Sequence, residues 1–228
     1  MADSLTEIVA FFMTAAKAKV ATIDTVNQLI AMTNLNNTAP EAIVGTIIAY
    51  DESNLVYQKL IKEDFWKMTT ANAKAEDQIR GALAIGEYGK IKDMSSEADK
   101  VIATVQGLFE SKNEEVRIAG SRMLGGVTTG NPSTFLARLF DMMGKAQGNE
   151  RQQLLTTVLA IIRSSPICLK DNVVGPGSVC ELLMEYVDNA EDIIRNTVSE
   201  CFGRLFLVFS EDVITYYVDG FKGDSGVV

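Results

Sequence analysis

Three glycines stand at intervals that share one length. The interval from Gly125 to Gly203 is twice the interval from Gly86 to Gly125. The position midway between Gly125 and Gly203 is Ser164, so every position of this register holds a small residue. Each lies late in a stretch of helical periodicity, where a glycine costs about 1 kcal/mol relative to alanine. We therefore expect these positions to allow close backbone approach between neighbouring helices.

A period of about 40 residues with two helices per unit indicates an α-solenoid of the HEAT or armadillo kind. Arg117 and Arg195 follow the same register, each eight residues before a glycine, and acidic residues open the same helices. We expect each arginine to pair with an acidic group of the adjacent repeat; an exposed row that binds a partner is the alternative. The predicted fold is all-α, a right-handed solenoid of five to six antiparallel helix pairs forming a single domain over residues 1–228.

Helical periodicity with short polar interruptions recurs along the chain. It predicts helices at about 4–18 (opened by the capping box Ser4-Leu5-Thr6-Glu7), 24–33, 40–50, 54–69, 75–89, 95–110, 113–129, 131–146, 149–164, 178–188, 190–207 and 210–220. Divergent helices fill 1–74, and regular repeats span 75–222. Residues 223–228 stop where a further helix would begin, which predicts that the chain is cut from a longer solenoid or lacks its last helix.

The composition argues against several classes of function. The net charge is −9 and no basic run occurs, although binding to a nucleic-acid backbone needs clustered lysine and arginine. The absence of histidine removes the usual general base and the commonest metal ligand. The cysteines (Cys168, Cys180 and Cys201) form no C-x-x-C pair, and no apolar run is long enough for a membrane span. We expect a protein of the cytoplasm and nucleus that is not an enzyme. We expect it to bind no cofactor, metal, nucleic acid, membrane or small-molecule substrate.

The candidate partner-binding residues lie on the second helices of the pairs. Glu200 and Arg204 are four residues apart, in the order that favours an ion pair on a helix surface. Arg122 precedes Glu200 by the same interval that separates Gly125 from Gly203. These three side chains are predicted to face a protein partner; a merely solvated face is the alternative.

Three blocks in register carry a resemblance to a known family. They are Ile79–Gly89, Glu114–Asn131 and Arg195–Leu205, and together they resemble the cullin-associated, neddylation-dissociated proteins over about residues 75–222. The resemblance implies an interior piece, from the C-terminal half, of a HEAT-repeat protein without an active site. It further implies that the protein wraps unmodified cullin with its RING subunit and promotes exchange of substrate receptors on cullin–RING ubiquitin ligases. Another HEAT or armadillo scaffold, such as a nuclear transport receptor or a phosphatase scaffold subunit, is the alternative.

Overall fold

A computed structural model describes residues 40–49 and 57–223 of the chain. All regular elements in these two ranges are helical, and no strand occurs among them. None of the helices in these ranges is long and apolar enough to cross a membrane. The predicted helices at 4–18 and 24–33, the capping box at Ser4 and the end at 224–228 lie outside the described residues.

The chain divides into two compact units, with the boundary between Phe135 and Leu136. Unit 1 contains α1 (Pro40–Ala49), a π-helical segment (Tyr57–Phe65) that continues into α2 (Trp66–Met68), α3 (Ala75–Gly89), a 3₁₀ turn (Ser95–Glu97), α4 (Ala98–Phe109) and α5 (Glu114–Gly130). Helix α6 (Pro132–Lys145) crosses the boundary. Unit 2 continues with α7 (Gly148–Ser164), a 3₁₀ segment (Pro166–Asn172), α8 (Val179–Met184), α9 (Asp192–Val208) and α10 (Ser210–Gly223).

Local sequence signals explain where several helices begin. The Asn113 side chain caps α5, because its Oδ1 accepts hydrogen bonds from the backbone N–H groups of Glu115 at 2.8 Å and Val116 at 3.4 Å. Ser178 caps α8 in the same way, with its Oγ accepting from the N–H of Glu181 at 3.2 Å. Helix α6 starts at a proline, whose missing N–H does no harm in the first turn.

The helices pack in neighbouring pairs within each unit. In unit 1, α1, α3 and α5 pack on one another in chain order, and α4 packs against α5. In unit 2, α7 packs on α9, and α10 packs against α9. This pairing confirms the predicted all-α class of HEAT-type helix pairs. A continuous solenoid over residues 1–228 stays a prediction.

Glycines bring the helices of unit 1 into backbone contact. A Cβ atom on Gly86 would lie 2.9 Å from the Cα of Met123, and one on Gly126 would lie 2.7 Å from the carbonyl carbon of Gly86. Likewise, a Cβ on Gly45 would lie 2.5 Å from the carbonyl oxygen of Ala84. Real Cβ atoms do not approach backbone this closely, so these positions require glycine.

The set of glycines that make close backbone contacts therefore differs from the predicted set. The glycines in contact (Gly45, Gly86 and Gly126) are spaced at nearly equal intervals, and Gly126, which follows the buried Gly125, meets Gly86. The expectation of close approach is wrong for Gly203, which is exposed and would have no atom within 4 Å of its Cβ. Ser164 is also exposed, at the last residue of α7.

A buried asparagine ties two repeats of unit 1 together. The Asn131 Nδ2 donates to the carbonyl oxygens of Gly89 at 3.0 Å, Lys92 at 3.2 Å and Val127 at 3.1 Å. Its Oδ1 accepts from the N–H of Met94 at 3.0 Å. The bonds to Gly89, Lys92 and Met94 satisfy backbone groups at the end of α3 and in the loop after it, and those of Gly89 and Met94 are buried.

The arginines of the register support their own repeat, not the adjacent one. The Arg117 Nη1 donates to the carbonyl oxygen of Ser111 at 2.9 Å, and the Arg195 Nη1 donates to that of Asn189 at 2.5 Å, in each case six residues earlier. Arg195 also pairs with Asp192 in its own helix. The expected pairing across repeats occurs instead at Arg80, whose Nε lies 3.7 Å from a carboxylate oxygen of Glu41 in α1.

Candidate interaction surface on helices α7 and α9

Two arginines converge on one glutamate at the surface of unit 2. The Arg163 guanidinium donates from Nε to Glu200 Oε1 at 2.9 Å and from Nη2 to Glu200 Oε2 at 2.7 Å. The Arg204 Nε donates to Glu200 Oε1 at 2.7 Å. We call these three side chains the charge cluster. The bidentate geometry fixes the glutamate side chain in one orientation.

Helix packing positions the three groups. Glu200 and Arg204 lie one turn apart on α9, as the sequence predicted, so their pairing is local. Arg163 comes from the last turn of α7, 37 residues before Glu200. Its side chain reaches Glu200 because α7 and α9 pack side by side with their apolar faces turned to the core.

The electrostatics of the cluster keep the glutamate ionised. Hydrogen bonds from Arg163 and then Arg204 lower the pKa of the Glu200 carboxyl below its ordinary value of 4.5. With two guanidinium groups against one carboxylate, the cluster carries a net positive charge on a chain of net charge −9. The side chains remain 34 to 52% exposed, and exposed ion pairs contribute at most about 1 kcal/mol each to stability. The cluster therefore contributes more to the charge of the surface than to the stability of the fold.

An apolar side chain adjoins the cluster on the same helix face. Glu200, Gly203, Arg204 and Leu207 follow the spacing i, i+3, i+4 and i+7, which places them on one stripe of α9. Leu207 is 86% exposed, the largest exposed fraction among the exposed large hydrophobic residues described. We call these four residues the α9 stripe. Apolar and arginine side chains together are typical of protein–protein contact surfaces.

Arg122, the third predicted site residue, belongs to the other unit. It is an exposed residue of α5, and it makes no ion pair with a side chain in the described ranges. Its carbonyl oxygen lies 3.1 Å from the position that a Cβ on Gly86 would take. Its backbone therefore takes part in the helix packing, while its side chain extends into solvent. The proposed partner contact of Arg122 stays a prediction.

Sequence reasoning missed Arg163 and Leu207. The signal for Arg163 was its distance of 37 residues from Glu200, close to the repeat length, which places it at the same level of the neighbouring second helix. Leu207 sits within an apolar run at the end of α9, and nothing in that run distinguishes a buried residue from an exposed one.

Metal-binding groups and reactive thiols were sought among the described residues. No group of three histidine, cysteine, aspartate or glutamate side chains in them is placed to hold a metal ion. Burial raises the pKa of the Cys180 thiol to about 11 and that of the Cys201 thiol to about 12, which keeps both protonated and unreactive near neutral pH.

Three proteins of one name are similar to this chain. Each is called Cullin-associated NEDD8-dissociated protein 1: that of Arabidopsis thaliana is 28% identical over 156 residues, that of Drosophila melanogaster 28% over 149, and that of Dictyostelium discoideum 26% over 144. The matches cover 68, 64 and 62% of this chain but only 12% of each relative. No family model matches the chain. The resemblance seen in the sequence blocks is confirmed: the chain is related to part of Cullin-associated NEDD8-dissociated protein 1.

Proposed function

We propose that this chain is a protein–protein interaction scaffold that binds a cullin and regulates the assembly and substrate-receptor exchange of cullin–RING ubiquitin ligases. The observation that carries the proposal is the similarity to three relatives whose shared name describes association with cullin. Because the matches extend over about two thirds of the chain, the relationship involves several consecutive helices rather than one short motif.

The surface of unit 2 supports a binding role. The charge cluster presents guanidinium groups to solvent beside the exposed Leu207, so polar and apolar contacts are available on one helix face. The arginine side chains are held in place by Glu200 before any partner arrives, which reduces the entropy lost on binding. The proposal places the chain in the cytoplasm and nucleus, where such ligases would be met.

The first test is direct binding of purified components. The full chain is immobilised and titrated with a cullin in complex with its RING subunit, in unmodified form and in NEDD8-conjugated form. We expect saturable binding of the unmodified complex and weaker binding of the conjugated one. A nuclear transport cargo and a phosphatase catalytic subunit serve as control ligands. No binding to either cullin form, or equally tight binding to a control ligand, contradicts the proposal.

The second test addresses regulation. A fluorescent substrate-receptor module is assembled on the ligase, and its release is followed after excess unlabelled module is added. We expect the chain to accelerate release, because a scaffold that binds the loaded ligase on a surface overlapping that of the receptor weakens the contacts of the receptor in a transient ternary complex. An unchanged release rate at saturating chain would restrict the role to binding without exchange and contradict the regulatory part of the proposal.

A further inference from the structure

We draw no further inference here: the strongest candidate, the surface patch that the α9 stripe and the charge cluster form on unit 2, carries none, because nothing in the structure shows what covers it.

Discussion

Replacing Gly126 with alanine tests the close helix packing in unit 1. The added Cβ would lie 2.7 Å from the carbonyl carbon and 3.0 Å from the Cα of Gly86. Both atoms are backbone, so a rotamer change cannot relieve the clash and one helix must move. Overpacking of this kind costs about 1–3 kcal/mol, and the rigid neighbour points to the upper half of that range. Alanine favours a helix by about 1 kcal/mol relative to glycine, which offsets part of this cost. We therefore expect a net loss of about 1–2 kcal/mol in the free energy of unfolding.

Gly107→Ala provides the matched control in the same unit. Gly107 lies in α4, is exposed, and has nothing within 4 Å of its Cβ position. Alanine there should raise the free energy of unfolding by up to about 1 kcal/mol. The two variants thus differ by about 1–3 kcal/mol, which corresponds to a gap of roughly 1 M between their urea midpoints.

Trp66 makes the measurement specific to unit 1. It is the only tryptophan of the chain, it is buried, and it lies in α2. Its fluorescence during urea titration therefore reports the unfolding of the unit that contains both glycines. A midpoint for Gly126→Ala equal to or above that of Gly107→Ala would refute the reasoning, since it would mean that no close contact exists between α3 and α5.

Three further predictions concern single side chains. Asn131→Ala should lower the free energy of unfolding by about 1–3 kcal/mol in the same fluorescence assay, because buried backbone groups lose their partners; an unchanged midpoint would contradict the role of this residue. The pKa of the Glu200 carboxyl is lower in the folded state than its ordinary value of 4.5. The ionised carboxylate therefore stabilises the folded state above pH 4.5, and this contribution is lost as the pH falls through the pKa of the folded state. The thermal midpoints of Glu200→Gln and the natural chain should thus differ slightly near neutral pH and converge in strong acid, and a difference independent of pH would argue against the ion pairs. Iodoacetamide near pH 8 should modify the half-buried Cys168 before Cys180 and Cys201, as followed by mass spectrometry; equal rates for all three would contradict their burial.

Local signals in the sequence were sufficient for the helices and for one contact of the site. Asn113 was predicted to open a helix, and it caps α5, because capping involves only neighbouring residues. Glu200 and Arg204 were predicted to pair, and they do, because residues four apart on a helix are neighbours in any tertiary context.

Contacts between repeats were harder to predict. The sequence shows which residues are small but not which ones another helix covers, so Gly203 and Gly126 could not be told apart. The prediction for the arginines was also wrong, because the loop before each helix offers Arg117 and Arg195 carbonyl acceptors within hydrogen-bond distance. Arg163 reaches Glu200 only through the packing of α7 on α9.

The contact between Gly86 and Gly126 is the most direct test of the central claim, which is that successive second helices of unit 1 meet backbone to backbone. The Cα of Gly86 lies 3.0 Å from the Cβ position of Gly126, so Hα atoms of the two residues lie close together. In a glycine-labelled sample, nuclear magnetic resonance should show a strong nuclear Overhauser effect between these Hα atoms, although the two glycines belong to different helices. Assigned signals without that effect would mean that a layer of side chains separates α3 from α5, at the usual spacing of about 8–10 Å between helix axes, and would contradict the claim.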